Sequence, residues 1–172
     1  MADNYTQFSF NLYDFTKAEI KWIKKVLSLH VEIGDSRNFK KLQKLLSTKI
    51  NRPAGELEYW PDFEWKLEKN TLNIYAQESG NEVNVADFVH AFLFNFRPKE
   101  IVTFGVAYTC SKMRADEFGG QEWVITAHDI ISTGGIAHTI YEALARGHTK
   151  DTKVSFSSID LTIHKFKRGE HK

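Results

Sequence analysis

Apolar spacing along this chain switches repeatedly between strict alternation and a helical repeat, and that interleaving constrains the fold more than any single motif. From Tyr5 to Leu12, Phe8, Phe10 and Leu12 alternate with Gln7, Ser9 and Asn11, the period-two pattern of a half-buried strand. Thr16-Lys17-Ala18-Glu19 follows as a capping box. In such a box the Thr16 hydroxyl accepts from the Glu19 N–H, and the Glu19 carboxylate reaches back to the Thr16 N–H. Phe15 and Ile20 hold the staple positions, Ile23 and Leu27 continue the stripe, and the helix is expected to stop between His30 and Gly34. A second helix is expected over Ser36 to Ile50, with Phe39, Leu42, Leu45, Leu46 and Ile50 on one face. Arg52-Pro53-Ala54-Gly55 ends it.

Alternation returns in Phe63, Trp65 and Leu67 and continues in Leu72 and Ile74 after a turn at Lys69-Asn70, which reads as a hairpin. Asn84 is expected to cap a third helix whose stripe is Val85, Phe88, Val89, Phe92 and Phe96, ended by Arg97-Pro98. Ile101 to Tyr108 and Glu122 to Ala127 read as central strands. A fourth helix is expected from Ile136 to Ala145, and a long last strand from Val154 to Phe166, bulged where its apolar phase shifts between Phe156 and Ile159. The order β-α-α-β-β-α-β-β-α-β has too many adjacent strands for a purely parallel sheet. It predicts a single α+β domain over residues 1–172, a mixed, largely antiparallel sheet of about six strands with about four helices, and a short basic tail from about residue 167. A chain of 172 residues is long enough to bury about two thirds of its unfolded surface without staples.

The lone cysteine, Cys110, excludes an intrachain disulfide, and Met1-Ala2-Asp3-Asn4-Tyr5 lacks the basic-then-apolar pattern of a signal peptide. No apolar run reaches the roughly 18 residues of a membrane span. These features predict a soluble cytoplasmic protein without membrane contact. The formal net charge is +1, but the charges are unevenly distributed. Residues 1–52 hold ten Lys and Arg against five Asp and Glu, residues 53–100 four against nine, and residues 101–172 nine against eight.

Two polar, glycine-bearing junctions follow strand-like runs and supply the candidate site. The first offers Glu78, Ser79 and Asn81 as acceptors and donors, with Gly80 supplying the backbone freedom that presents them; the second offers Cys110, Lys112, Arg114 and Glu117. Cations beside a thiol favour the thiolate, so Cys110 is a candidate nucleophile. Such a nucleophile needs a base, for which His90 and His128 are candidates, while packing as a small hydrophobe is the favoured reading of a lone cysteine. Glu78 and Glu117 form a candidate acid pair only if their environments separate their roles; turn formation at Glu78 and pairing of Glu117 with Lys112 or Arg114 are the plainer readings. Gly119-Gly120 reads as a tight hairpin, since no phosphate-loop signature surrounds it. The seven histidines show no ligand spacing, so neither metal nor cofactor is expected. Tyr59, Trp60, Phe63 and Trp65 cluster near acidic residues, as core packing or as a patch for a protein or base. Lys40, Lys41 and Lys44 lie on the polar face of the second helix and form a possible charged partner face. One helix face on a near-neutral chain falls short of a nucleic-acid signature, so nucleic acid is a possible but not a favoured partner.

Glu78-Ser79-Gly80-Asn81, Ala86 to Leu93, Phe96-Arg97-Pro98, Thr109-Cys110-Ser111-Lys112 and Glu117-Phe118-Gly119-Gly120 together resemble an uncharacterised family of small proteins from bacteriophages, plasmids and other mobile elements. The resemblance covers roughly Phe63 to Asp129 and departs from the family pattern at Met113, where proline is usual, and at Gln121, where a third glycine is. It carries no established function. What it implies is an accessory binding protein that modulates a host process, antiviral defence among them, through a host protein or small ligand. The alternative is a cysteine- or carboxylate-dependent enzyme acting on a nucleotide-like substrate.

Overall fold

A computed structural model describes residues 3–32, 34–46, 59–111, 119–133, 152–155 and 160–163. In chain order the elements are β1 (Asn4–Leu12), α1 (Lys17–Leu27), α2 (Ser36–Leu46), β2 (Glu64–Glu68), β3 (Thr71–Ala76), α3 (Glu82–Phe96), β4 (Glu100–Cys110), β5 (Gly119–Ile125), β6 (Ile130–Thr133), β7 (Thr152–Ser155) and β8 (Asp160–Ile163). Six strands form the path β2-β3-β1-β4-β5-β6, antiparallel throughout; β7 joins β4 in parallel and pairs with β8. The mixed, mainly antiparallel sheet expected from the strand order is therefore present. Three helices are described, and the expected fourth, over Ile136 to Ala145, lies outside the described residues.

One strand organises the sheet. Residues 4–7 of β1 pair with the end of β4, from Asn4 opposite Cys110 to Gln7 opposite Ala107. Residues 8–12 pair instead with β3, from Phe8 opposite Ala76 to Leu12 opposite Leu72. The side of β4 that β1 leaves is taken at its start by β7, while β5 runs along the other side. Phe104 bridges the parting strands, with its ring stacked on Phe10 at 4.9 Å and on Trp123 at 6.1 Å. Offset aromatic stacks of this kind add to plain area burial.

Helix α3 is apolar nearly all round, and Val85, Ala86, Phe88, Val89, Ala91, Phe92 and Leu93 are all buried. A helix with that composition needs partners on several sides. It contacts β4, β5 and β6, and also α2, while Trp22 of α1 stacks on Phe88. The capping box at Thr16 forms as expected, with Thr16 N–H donating to Glu19 Oε2 at 2.6 Å and Glu19 N–H donating to Thr16 Oγ1 at 3.3 Å. Its Glu19 has a second task, accepting from Arg97 Nε at 2.7 Å. Arg97 also donates to the Asp14 carbonyl and to Glu100, and its guanidinium lies over the rings of Phe15 and Phe92. The arginine of Phe96-Arg97-Pro98 thus clamps the end of α3 to the start of α1.

Several boundaries differ from expectation. Helix α1 ends at Leu27 with Ser28 as its C-cap, and Gly34, at φ 85°, instead precedes α2. Helix α3 starts a turn early, with Asn81 as N-cap accepting from Asn84 N–H, because Asn84 is needed elsewhere. Within the expected long last strand the described residues form two antiparallel strands, Val154 pairing with Leu161 and Ser155 with Asp160; the expected bulge between Phe156 and Ile159 lies outside the described residues. Strand β6, unforeseen, pairs along β5 after a turn in which Thr126 Oγ1 accepts from the His128 and Asp129 N–H groups.

Candidate functional site

Both polar junctions arise at one end of the sheet because β3 and β4 run side by side with β1 between them. Gln7 on β1 links the two: its Nε2 donates to the Gln77 carbonyl at 2.6 Å, and its Oε1 accepts from Thr109 Oγ1 at 3.2 Å. Thr6 N–H donates to the Glu78 carbonyl, and Ser111 N–H to the Asp3 carbonyl. The start of β1 is thus tied to both junctions, mainly through their backbone groups. Glu78 itself is exposed.

Asn81 was expected to contact a ligand, but its side chain is committed to capping α3. Gly80 was expected to supply backbone freedom; among the described glycines only Gly34 has a positive φ. Gly80 serves close approach instead: a Cβ there would collide with Ala76 Cβ and lie 2.9 Å from the ring of Phe8. Gly119 and Gly120 do not make a turn; they are strand residues of β5 opposite Tyr108 and Ala107. Lys112, Arg114 and Glu117 lie outside the described residues.

Cys110 closes β4 as a buried thiol, 9% exposed. The candidate bases are remote from it. His90 Nδ1 lies 2.8 Å from the Thr126 carbonyl, and His128 sits in the same β5–β6 turn. That turn adjoins the Val102 end of β4, since Val102 pairs with Ile125. Eight residues of extended strand separate it from Cys110, about 26 Å at the usual rise. Neither histidine can act as its base.

Near Cys110 the Tyr108 hydroxyl donates to Glu82 Oε1 at 3.0 Å and lies 2.5 Å from the Gln121 side-chain amide. A phenol has one proton to give, so the amide NH2 of Gln121 must face the hydroxyl while the carboxylate takes the proton. Burial and the Glu82 carboxylate push the Tyr108 phenol up to about 12. It is a fixed donor at neutral pH, not an acid–base group.

Beside the first junction is an open cleft of about 620 Å³. Of the described junction residues expected at the site, Ser79 lines it. Its walls come from the segment that follows α1 (His30 to Glu32), the segment Tyr59 to Phe63, and β2 with β3 at Glu64, Trp65 and Tyr75. The Tyr59–Phe63 wall is firmly held. Trp60 is 2% exposed, donates from its indole to the Val26 carbonyl at 3.1 Å, and pairs through its backbone with Val31. Asn84 Nδ2 donates to the carbonyls of Tyr59 and Pro61, at 2.8 and 3.2 Å, and Asn81 N–H donates to that of Asp62. The Trp60–Pro61 peptide is cis. Held this way, Tyr59 stands half exposed. Tyr75 bonds to Glu64, which holds its phenol above the ordinary range. Glu32, Asp62 and Glu64 supply three carboxylates, and no Lys or Arg is among the described lining residues.

The aromatic cluster noted in the sequence thus divides between core and site: Trp60 and Phe63 are buried, Trp65 is partly exposed and Tyr59 is the platform. His30, Glu32 and Tyr75 had no sequence signal, since only the β-bridge and the hairpin bring them together. Among the described residues no cluster of His, Cys, Asp and Glu has metal-binding geometry, and no helix is long and apolar enough to cross a membrane. Comparison with family models, curated proteins and solved structures finds no match to this chain.

Proposed function

We propose that the protein is a binding module whose aromatic, acidic cleft takes a Lys- or Arg-bearing segment of a partner protein. The observation that carries this reading is the wall composition: an exposed Tyr59, a partly exposed Trp65 and three carboxylates, with no Lys or Arg among the described lining residues. A guanidinium over an aromatic face gains about 0.5–2 kcal/mol, and a charge-assisted bond to a carboxylate about 1.5–3 kcal/mol. A cleft of about 620 Å³ falls within the range of sites that enclose a few side chains. The resemblance to mobile-element proteins supports a host protein as that partner. An enzyme working through Cys110 has less support, because the histidines expected to activate it sit at the far end of β4.

The test uses fluorescein-labelled peptides of equal length, with Arg, Glu or Ser at alternate positions, titrated by anisotropy. The Arg peptide is expected to bind, and the Tyr59→Ala, Glu64→Gln double variant to weaken it by roughly tenfold or more, at about 1 kcal/mol for each group. Equal binding of the Arg and Glu peptides, or undiminished affinity in the double variant, would refute the reading.

A further inference from the structure

Strand β2 ends the sheet path, with β3 as its partner on one side and, among the described residues, no strand on the other. Every residue of β2 is at least partly exposed, whereas alternate residues of β3 are buried. The pairing fixes where its backbone groups point. The two-residue turn Lys69-Asn70 closes on the Glu68–Thr71 pair, so Glu68, Lys66 and Glu64 direct their N–H and C=O groups at β3. The far side of β3 agrees: Thr6 N–H donates to the Glu78 carbonyl, which puts Phe8, Phe10 and Leu12 in bonding positions opposite Ala76, Ile74 and Leu72. Trp65 and Leu67 therefore direct their N–H and C=O groups outward, away from the sheet.

The cleft meets this edge. Glu64 and Trp65 are neighbours in an extended strand, so their side chains lie on opposite faces of the sheet, yet both line the cleft. The opening therefore wraps round the start of β2 and passes its outward side. An unpaired edge is a template for another strand, and proteins commonly blunt it with lysine, proline or a bulge. Lys66 is the cation of β2, and its Nζ lies 2.6 Å from Glu68 Oε1. With Glu64 and Glu68 on either side of that lysine, the strand stays negative.

We infer, resting on the reading of the cleft given above, that the partner's Lys- or Arg-bearing segment binds extended, as an antiparallel strand added to β2. Trp65 and Leu67 offer it two donors and two acceptors. Main-chain bonds of this kind supply affinity, while alternate side chains supply selectivity. Residues directly opposite share a face, so consecutive partner residues meet Trp65 on one face and Glu64 on the other. The carboxylates of Glu32, Asp62 and Glu64 favour a cationic segment there. A second copy of this chain fits the edge poorly. The register that uses both outward residues of each copy sets Lys66 against Lys66 and Glu64 against Glu68, and like charges directly opposite are destabilising. A different chain can set an uncharged residue against Lys66.

The test measures amide hydrogen exchange by NMR in the free protein and with the Arg peptide at saturation. The Trp65 and Leu67 amides are expected to exchange fast in the free protein and to slow by roughly tenfold or more with peptide, while the Lys66 amide, bonded to β3, stays slow in both. The same peptide is also N-methylated, in one version at every Arg and in another at every intervening residue. An added strand bonds through alternate residues, and a slip of one residue turns its side chains to the wrong face. One version should therefore lose roughly tenfold or more in affinity, for two hydrogen bonds, and the other should bind as the unmodified peptide does. Equal effects of the two versions, with no new protection at Trp65 and Leu67, would overturn the inference and leave the cleft reading standing. No binding of the Arg peptide would instead sink the cleft reading, and this inference with it. Slow exchange of both amides without peptide, deepening with protein concentration, would give the edge to a second copy and overturn the inference as well.

Discussion

Substituting alanine for Gly80 tests the packing argument at the first junction directly. The new methyl would collide with Ala76 Cβ, which is fixed to the β3 backbone, and would lie 2.9 Å from Phe8 Cε1 and Cζ. Phe8 is itself paired opposite Ala76 and is 5% exposed, so it cannot swing into solvent. Forcing one methyl into such a site costs about 1–3 kcal/mol. The chain can relieve the collision only by moving residues 78–81, which stretches the Thr6 N–Glu78 O bond of 3.0 Å and the Asn81 N–Asp62 O bond of 2.8 Å. Each is worth about 1 kcal/mol. The stiffer unfolded chain returns about 0.4–1 kcal/mol. The net expectation is a loss of about 3 kcal/mol, or roughly 6–12 °C in Tm for a domain of this length. Chemical denaturation and calorimetry measure it, and Ala76→Gly in the same chain should recover part of the loss, because it removes the atom struck most closely. A melting point within about 2 °C of the parent, a small fraction of the shift expected for a domain of this size, would refute the reasoning. So would strict additivity of the two substitutions.

Two further expectations concern ionisation. Burial raises the Glu19 carboxyl, but bonds from Arg97 and Thr16 outweigh it and hold the group below its ordinary 4.5. Its contribution is therefore complete above about pH 4.5 and is lost as pH falls through the lower folded value. Glu19→Gln should cost about 1.5–3 kcal/mol near pH 7, the range for a hydrogen bond to a charged group, since Arg97 keeps Glu100 and the Asp14 carbonyl, with a difference from the parent that shrinks in acid; parallel stability curves down to about pH 3 would contradict this. Tyr108 should titrate near pH 12 by absorbance, and Glu82→Gln should bring it down toward 10, the ordinary phenol value; an unmoved titration would remove Glu82 as a cause. Because its folded value is raised, the stabilisation from Tyr108 is complete below about pH 10 and is lost as pH rises through about 12.

Local signals determined a good part of this molecule. The Thr16–Glu19 capping box, the alternation in β1, β2 and β3, and the aromatic stripe of α3 each depend on residues within a turn or a strand of one another, and each forms where its spacing placed it. The basic polar face of α2 is of the same kind, and Lys40, Lys41 and Lys44 are exposed as its period requires. Reading failed where one residue type serves two masters. Asn81 and Asn84 are both good caps, and only the tertiary demand of the Tyr59 and Pro61 carbonyls on Asn84 leaves the cap to Asn81. The first junction is tied to β1 through the backbone carbonyls of Gln77 and Glu78, whose partners, Gln7 and Thr6, lie about seventy residues away in the chain. Cys110 and its supposed bases could be set apart only by the register of β4 on β5. The cleft had no sequence signature, because His30, Tyr59, Glu64 and Tyr75 belong to four segments that share a wall through the Val31–Trp60 bridge and the β2–β3 pairing. Periodicity records which side of an element faces the core, since that depends on the nearest few residues; which elements meet depends on long-range pairing, whose closure entropy and packing no local window contains.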